Sequence, residues 1–463
     1  MRLPRRGQRA WREAGLLARF AGPLIVAQLL QVGMTVTDTV MAGRLGPLEL
    51  AAVALGSALW LPIFLSATGV IMALSPSVAR LKGARRIGDV GALYRQGLWL
   101  ALLMALLVTP ATVWIGGLMP LIGVDPHVVP IAQRYLNAIA WGMPAACLYL
   151  AGRFLTEGLG LPGPVMYIQA VALLVNALGN YVLMYGKLGI APMGAVGAGW
   201  SSALVLSLNA ILVHGWLVLH PAYRQSRLLA ALELPNLAQL WRLLRLGVPI
   251  AASIIAESGL FAAASLLMGT IGAVAVASHQ VAVNYAALAF MVPLGLSLAI
   301  TVRVGNAAGA GRRDRVRLAA AVGMVLAVAT MACSALLLLA FRETIASLYS
   351  ADPEVIVLAG QLLLVGALFQ VSDGLQVSAA GALRGLGDTA IPMVMTAFAY
   401  WAVGLPLGYL MAFRAGWGPV GLWFGLTAGL SAAALLLSLR LRRVIARLPG
   451  RQTASSPVPP ALG

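Results

Sequence analysis

The stretch that decides the fold is residues 247–272, GVPIAASIIAESGLFAAASLLMGTIG. It is a continuous apolar run with a single acid, Glu257, near its middle. Because about 20 mostly apolar residues suffice for a helix to cross a bilayer, the run predicts a transmembrane helix. A carboxylate at that depth is costly to bury, so Glu257 is a candidate functional residue. The alternative is an acid that is hydrogen-bonded only for packing.

The composition of the whole chain agrees with this first run. Of 463 residues, 60% are hydrophobic and only 10% are charged, and the mean hydropathy is +0.90. Soluble domains carry about a quarter charged residues. The apolar runs are continuous rather than alternating, which argues against a transmembrane β-barrel. The sequence therefore predicts an all-α polytopic membrane protein.

Twelve apolar spans can be drawn along the chain. They lie near 16–41, 50–75, 93–118, 130–152, 163–186, 193–219, 243–270, 274–302, 317–341, 355–381, 390–413 and 418–440. We expect two six-helix lobes, residues 1–222 and 223–446. Residues 447–463 are rich in Pro and Ser and predict a disordered cytoplasmic tail.

The positive charges are unevenly distributed between the two sides of the predicted membrane. The formal net charge is +18, and 27 of the 32 Lys and Arg residues fall on the side that holds both termini. This asymmetry predicts cytoplasmic termini. The basic residues lie in short connections rather than on one soluble face, so we expect no nucleic-acid partner.

The two halves of the chain repeat each other. At a shift of 226 residues five pairs of glycines coincide, 33/259, 43/269, 46/272, 69/295 and 83/309. Because each repeat contains six spans, an even number, both halves cross the membrane in the same orientation. The halves should therefore be related by a pseudo-twofold axis along the membrane normal, with the binding site at their interface. Because one chain builds the whole pathway, we expect a monomer.

Three acids lie well inside predicted spans: Asp38, Glu257 and Asp373. The other acids fall at span ends or in loops, and no basic side chain is expected to be buried, so local ion pairing is not evident. A carboxylate in such surroundings can keep a proton or hold a cation, and either property suits ion-coupled transport. A purely structural acid is the alternative for each.

Polar residues on other spans could complete the sites of these acids. Asn176 and Asn180 are four residues apart and share one helix face, where their amide oxygens could bind a cation or join helices. His279 could contact substrate or relay a proton, although a structural hydrogen bond is favoured. Weaker candidates are Gln31, Ser202, His279, Gln280 and Tyr285.

Enzymatic readings find little support in the sequence. Only two lysines occur, Lys82 and Lys187, and neither lies in a P-loop, so energy must come from an ion gradient or from an ATPase on another chain. Residues 385–388 spell the G-x-G-D pattern of intramembrane aspartyl proteases. Asp388, however, follows span ten in a turn, so we expect no enzyme.

Four motifs together resemble the multidrug and toxic compound extrusion (MATE) transporters, most closely their NorM-like branch. The motifs are TDTVMAG at 37–43, SHQVA at 278–282, TVRVG at 301–305 and LRG at 383–385. The resemblance covers roughly residues 16–440. It implies twelve helices in two lobes around a central cavity, in a bacterial inner membrane.

The same resemblance implies export of amphipathic, often cationic, drugs in exchange for Na⁺ or H⁺, without another cofactor and without a required ATPase subunit. Asp38, Asn176 and Asn180 match the polar site of the N-terminal lobe. Glu257 and Asp373 match the acids of the C-terminal lobe. Either set could hold Na⁺, and the resemblance leaves open which lobe binds the coupling ion. The alternative function is a flippase for a lipid-linked precursor, which predicts a basic cavity.

Overall fold

The computed structural model describes residues 6–228 and 233–449, which fold almost entirely into helices. The N-terminal half contains α1 (Arg6–Leu45), α2 (Pro47–Ile71), α3 (Leu74–Gly83), α4 (Asp89–Ile115), α5 (Val129–Ala140), α6 (Met143–Gly158), α7 (Gly163–Tyr185) and α8 (Ala195–Leu219). The C-terminal half contains α9 (Leu237–Ile271), α10 (Ala273–Gly309), α11 (Arg313–Tyr349), α12 (Pro353–Gly385), α13 (Ala390–Ala397), α14 (Leu405–Tyr409) and α15 (Gly418–Arg447). Helix α15 includes Arg447, the first residue of the predicted tail, and residues 450–463 of that tail lie outside the described residues.

These helices form the twelve predicted membrane spans. Among the described residues, eleven continuous or nearly continuous helices are long and apolar enough to cross a bilayer, and α5 with α6 forms a twelfth span that is bent by 46°. Helices α2 and α3 share one span. The π-helical segment Phe398–Gly404 joins α13 to α14, and a second π-helical segment, Leu410–Arg414, follows α14 and completes another span. An even number of spans brings both chain ends to one side, which we call the terminus side.

Matching glycines make matching turns in the two halves. Gly46 joins α1 to α2 with φ 136°, and Gly272 joins α9 to α10 with φ 148°. Side chains with a Cβ rarely adopt such positive φ values, so both turns require glycine. The pair coincides in the sequence repeat, so the fold reproduces the repeat at its tightest turns. This supports two equivalent lobes of six spans each.

The lobes pack against each other on the terminus side. Helix α2 approaches α9 where Gly247 lies against Val70, and α3 approaches α10 where Gly309 lies against Arg80. Across the same zone Arg303 of α10 donates two hydrogen bonds to Glu13 of α1, at 2.8 and 2.6 Å. One hydrophobic core runs through both lobes here. The contact zone closes the terminus side of the molecule.

On the opposite side each lobe has its own core. One core belongs to the C-terminal lobe and is centred on Trp423 and Tyr400, and another belongs to the N-terminal lobe around Tyr135. Among the described residues, the hydrogen bonds that join the lobes all lie in the terminus-side zone or its linker. On the other side no hydrogen bond among the described residues joins the lobes, and we call the region between them the interlobe cleft.

The linker between the lobes is fastened to α4. Gln96 donates to the carbonyl of Leu234 at 3.0 Å and accepts from the backbone N–H of Asn236 at 2.8 Å. Trp99 donates to the carbonyl of Glu233, and Arg95 pairs with the Glu233 carboxylate. That hydrogen bond from Arg95 lowers the pKa of Glu233. These contacts hold the end of the linker, just before α9, against α4.

Candidate functional site

The first polar site lies in the N-terminal lobe around Asp38 of α1. Asn176 and Asn180 of α7 both donate from Nδ2 to Asp38 Oδ1, at 3.0 and 2.6 Å. They can do so because a separation of four residues places both amides on one face of α7. Asn176 and Asn180 are 2% and 0% exposed, whereas Asp38 is partly exposed. The site thus joins a buried amide pair to a carboxylate that solvent can reach.

The chemistry of this site suits a hard cation. The Oδ1 atoms of Asn176 and Asn180 are buried and have no hydrogen-bond partner in the described structure. Together with the Asp38 carboxylate they offer oxygen ligands of the type that alkali and alkaline-earth cations prefer. An orphaned buried acceptor is costly, and a bound cation or water would offset that cost. The residues present therefore fit Na⁺, and the same carboxylate could instead carry a proton.

The second polar site lies in the C-terminal lobe around Asp373 of α12. Asp373 is 3% exposed, and its Oδ1 has no hydrogen-bond partner within the described chain. Gln376 donates to the Tyr400 hydroxyl at 2.8 Å. Glu257 of α9 is partly exposed and lies within electrostatic range of Asp373. The two acids therefore share one site, as do the buried Gln376 and Tyr400.

Some of these partners are absent from the sequence-based candidates. Gln370 and Gln376 flank Asp373 at three-residue spacing on α12, and each has a buried Oε1 without a partner in the described residues. Tyr400 is fully buried in the π-helical segment. Because residues three apart lie on neighbouring positions of a helix, the sequence spacing alone could have predicted that both glutamines share a face of α12 with Asp373. Nothing in the local sequence indicates that Tyr400 reaches the same site.

The weaker candidates take different positions. Gln31 is partly buried on α1, two turns before Asp38, and Gln280 is exposed. Tyr285 is partly buried and shares a hydrogen bond of 3.1 Å with the Ser334 hydroxyl of α11. Ser201, rather than its neighbour Ser202, contacts the first site, because it donates to the Asn176 carbonyl at 3.2 Å.

His279 is enclosed in the core of the C-terminal lobe. It is 0% exposed, and Trp423 donates from Nε1 to its Nδ1 at 3.2 Å. Since an indole can only donate, Nδ1 must be the acceptor and Nε2 carries the proton. Nε2 lies 3.0 Å from the Ser265 hydroxyl, which donates to the carbonyl of Phe261. The ring thus has a complete set of structural partners.

One buried ion pair contradicts the expectation that no basic side chain is buried. Arg153 and Glu157 lie one turn apart on α6, 6% and 0% exposed, with Arg153 Nε 2.8 Å from Glu157 Oε1. Arg153 also donates to Gln28 of α1 at 2.8 Å. The expectation was wrong because α6 continues to Gly158, beyond the predicted end of span four at 152. The opposite charges at four-residue spacing were the available signal.

Asp388, the acid of the G-x-G-D pattern, takes no part in either site. Its carboxylate accepts a hydrogen bond from Arg440 of α15 at 2.8 Å, in the turn that follows α12. Gly387 has φ 66° in that turn. Asp388 is thus engaged in an ion pair on the terminus side. This position supports its reading as a turn residue.

Two lobes of six spans, with an acidic site in each lobe, are the architecture of a membrane transporter. The chain belongs to the MatE family, whose model matches residues 23–182 and 249–410, one match in each half. It is 43% identical to the multidrug resistance protein PmpM of Pseudomonas aeruginosa, over 95% of this chain and 93% of that protein. It is 41% identical to a probable multidrug resistance protein NorM of Xanthomonas campestris pv. campestris, over 94% and 95%.

Solved structures agree with the fold. The eukaryotic MATE transporter AtDTX14 superposes with a TM-score of 0.85 at 22% identity, covering 95% of this chain and 100% of that one. A multidrug resistance MATE family transporter described in an outward-facing conformation gives 0.87 at 20% identity, covering 96% and 99%. The resemblance inferred from the four motifs is therefore confirmed, as is the two-lobed helical fold.

Proposed function

We propose that this protein exports amphipathic, often cationic, organic compounds in exchange for Na⁺ or H⁺. The observation that carries the proposal is the placement of acids in both lobes: Asp38 with its amide pair in one, and Glu257 with Asp373 in the other. The relatives named as multidrug resistance proteins support drugs as the substrate class. The pathway needs no second chain, so the working unit is one copy in the bacterial inner membrane.

Coupling follows from competition for the same carboxylates. Acids that border the cleft attract organic cations, and a coupling ion that loads onto them displaces the drug. Exchange also requires that drug and ion prefer different arrangements of the two lobes. The terminus side carries most of the basic residues, so it is placed in the cytoplasm. The described arrangement, which is closed on that side, then represents the state open to the exterior.

The acidic character of both polar sites argues against the lipid flippase. That function calls for basic groups to bind a phosphate, whereas both polar sites contain carboxylates. Nor does any contact of Asp388 favour a protease, because its partner is Arg440. The relatives are named as multidrug resistance proteins and not as enzymes. Export of organic cations remains the function that the sites support best.

The test is transport by purified protein in proteoliposomes, with a Na⁺ gradient and a pH gradient imposed separately. Ethidium is a suitable fluorescent substrate because it is aromatic and cationic. Movement of ethidium driven by Na⁺ alone identifies the acids as cation ligands, and movement driven by pH alone identifies them as proton carriers. No movement with either gradient, across several organic cations, would overturn the proposal.

Asp38→Asn is the first variant to examine. It keeps the shape of the side chain but removes the charge that attracts both drug and ion, so gradient-driven export should fall by about tenfold or more. The matched control is Asp314→Asn, which removes an exposed acid from the first turn of α11. Export at the wild-type rate by a correctly inserted Asp38→Asn protein would exclude Asp38 from the mechanism.

A further inference from the structure

Arg384 lies at the end of α12, at the floor of the interlobe cleft, and its guanidinium is poorly satisfied. One Nη donates to the Ser297 hydroxyl at 2.7 Å, and the other to the Met72 sulfur at 3.4 Å. A thioether is a weak acceptor. Nε is buried and has no acceptor in the described residues. A guanidinium has five N–H donors, so this arrangement leaves much of its hydrogen-bonding capacity unused.

The equivalent position in the other lobe shows what Arg384 lacks. In this later part of the repeat the shift is 227 residues, at which Gly158 coincides with Gly385 and Gly160 with Gly387, so Glu157 falls on Arg384. Glu157 is neutralised by Arg153, one turn earlier on the same helix. One turn before Arg384 lies Ala380. In the N-terminal lobe the charge at this position is therefore paired within its own helix. In the C-terminal lobe, Arg384 has no acid one turn earlier on α12 to pair with.

The acid within electrostatic range of Arg384 is Glu257. Glu257 in turn lies within range of Asp373, the second acid of the same lobe. Arg80 of α3, in the N-terminal lobe, donates to the carbonyl of Gly385, the residue that follows Arg384.

We propose that Arg384 is a tethered counter-charge that competes with the coupling cation and with cationic substrate for Glu257. The contact with Met72 crosses from the C-terminal lobe to the N-terminal lobe. It must therefore break when the lobes part on the terminus side. Arg384 is then free to turn toward Glu257 and expel the bound cation. This inference rests on the proposed function and assigns one step of it, the release of cations from the C-terminal lobe.

The first experiment measures equilibrium binding of tetraphenylphosphonium to purified protein, without any gradient. Arg384→Gln removes the competing charge, so the dissociation constant should fall by about fivefold or more. Arg384→Lys keeps the charge and should not show this tightening. The control is Arg442→Gln, which removes a positive charge from an exposed position of α15 on the same side. An unchanged affinity in Arg384→Gln would overturn the proposal.

A double-variant cycle identifies the acid on which Arg384 acts. In a Glu257→Gln background there is no carboxylate to compete for, so adding Arg384→Gln should leave the dissociation constant unchanged. The same tightening in both backgrounds would show that Arg384 only repels cations from the cleft, which would contradict a pairing with Glu257.

A third variant removes the contact between Arg384 and Met72 and leaves the charge of Arg384 in place. Met72→Leu removes the sulfur acceptor at nearly constant volume, which buried sites tolerate well. The freed guanidinium should weaken tetraphenylphosphonium binding by about twofold or more. A purely structural Arg384 predicts no change, and that result would count against the inference. Failure of wild-type protein to bind any organic cation would instead defeat the proposed function.

Discussion

At the scale of single residues, the buried pair Arg153–Glu157 makes a sharp energetic prediction. Removing one partner strands a charge that is fully enclosed, so Arg153→Met should destabilise the protein by about 3–5 kcal/mol. Removing both charges with Arg153→Met and Glu157→Leu should recover most of that loss, because well-packed apolar groups replace buried ion pairs at little cost. Thermal unfolding in detergent, followed by Trp fluorescence, compares the three proteins.

The ion pair Arg440–Asp388 provides the control for this comparison. It is partly exposed, with side chains 21% and 16% accessible, so Arg440→Met should cost much less than Arg153→Met. If the double variant at 153 and 157 proved as unstable as the single one, the charges would have a role beyond mutual neutralisation. A candidate is the hydrogen bond from Arg153 to Gln28, which joins α6 to α1.

Sequence alone predicted part of this residue-scale picture. The acids inside apolar runs and the shared face of Asn176 and Asn180 follow from helix periodicity and from the cost of burying charge. The contact of both amides with Asp38 does not follow, since it depends on how α1 and α7 pack. Tyr400 lies beyond sequence reasoning for the same reason: a residue on a distant helix enters a site only through tertiary structure.

At the scale of elements, α14 and α15 meet along a stripe of glycines. Gly404 and Gly408 face Gly429 and Gly425, and no Cβ fits between Gly425 and the backbone of Gly408. Small residues at four-residue spacing let membrane helices approach at the backbone. Gly425→Val should therefore force α15 away from the span that carries Tyr400, and should lower both thermal stability and the yield of folded protein.

Gly215→Val is the matched control for that element. Gly215 lies in the interior of α8, and a Cβ there meets nothing within 4 Å. Both variants add the same β-branched side chain to a helix, so the comparison isolates the effect of close packing. Equal melting temperatures for the two variants would show that the α14–α15 contact is not required for stability.

The elements themselves were largely predictable, but their irregularities were not. Continuous apolar runs placed all twelve spans, because a bilayer demands a minimum helix length. The 46° bend between α5 and α6 was not foreseen, although Gly142 and Pro144 stand at the break. The π-helical segments around Tyr400 also went unpredicted. π-helical turns are rare and occur where packing against neighbouring helices favours them, so no local sequence pattern predicts their position.

At the scale of the whole molecule, the conformation is the property that the sequence left open. The repeat indicates two equivalent lobes, yet the same residues could close either side of the cleft. Which side is closed depends on a balance between alternative packings of a few kcal/mol. Here the pair Glu13–Arg303 and the apolar core shared by both lobes hold the terminus side together. Exchange by alternating access would require these contacts to separate in each cycle.

A disulfide across the closed zone tests whether that separation is needed. A Cβ built on Gly305 of α10 would lie 3.2 Å from the Cβ of Ala79 of α3, so a shift of a few tenths of an ångström would bring the pair to the roughly 3.5–4.5 Å that a disulfide requires. In a background without Cys147 and Cys333, the oxidised pair Ala79→Cys and Gly305→Cys should still bind tetraphenylphosphonium. Gradient-driven export should stop, because the lobes can no longer part on the terminus side. Reduction with dithiothreitol should restore it, and each single-cysteine protein should be insensitive to oxidant. Undiminished export by the fully cross-linked protein would mean that substrate reaches the sites without opening of the α3–α10 contact, and that the cycle moves other helices instead.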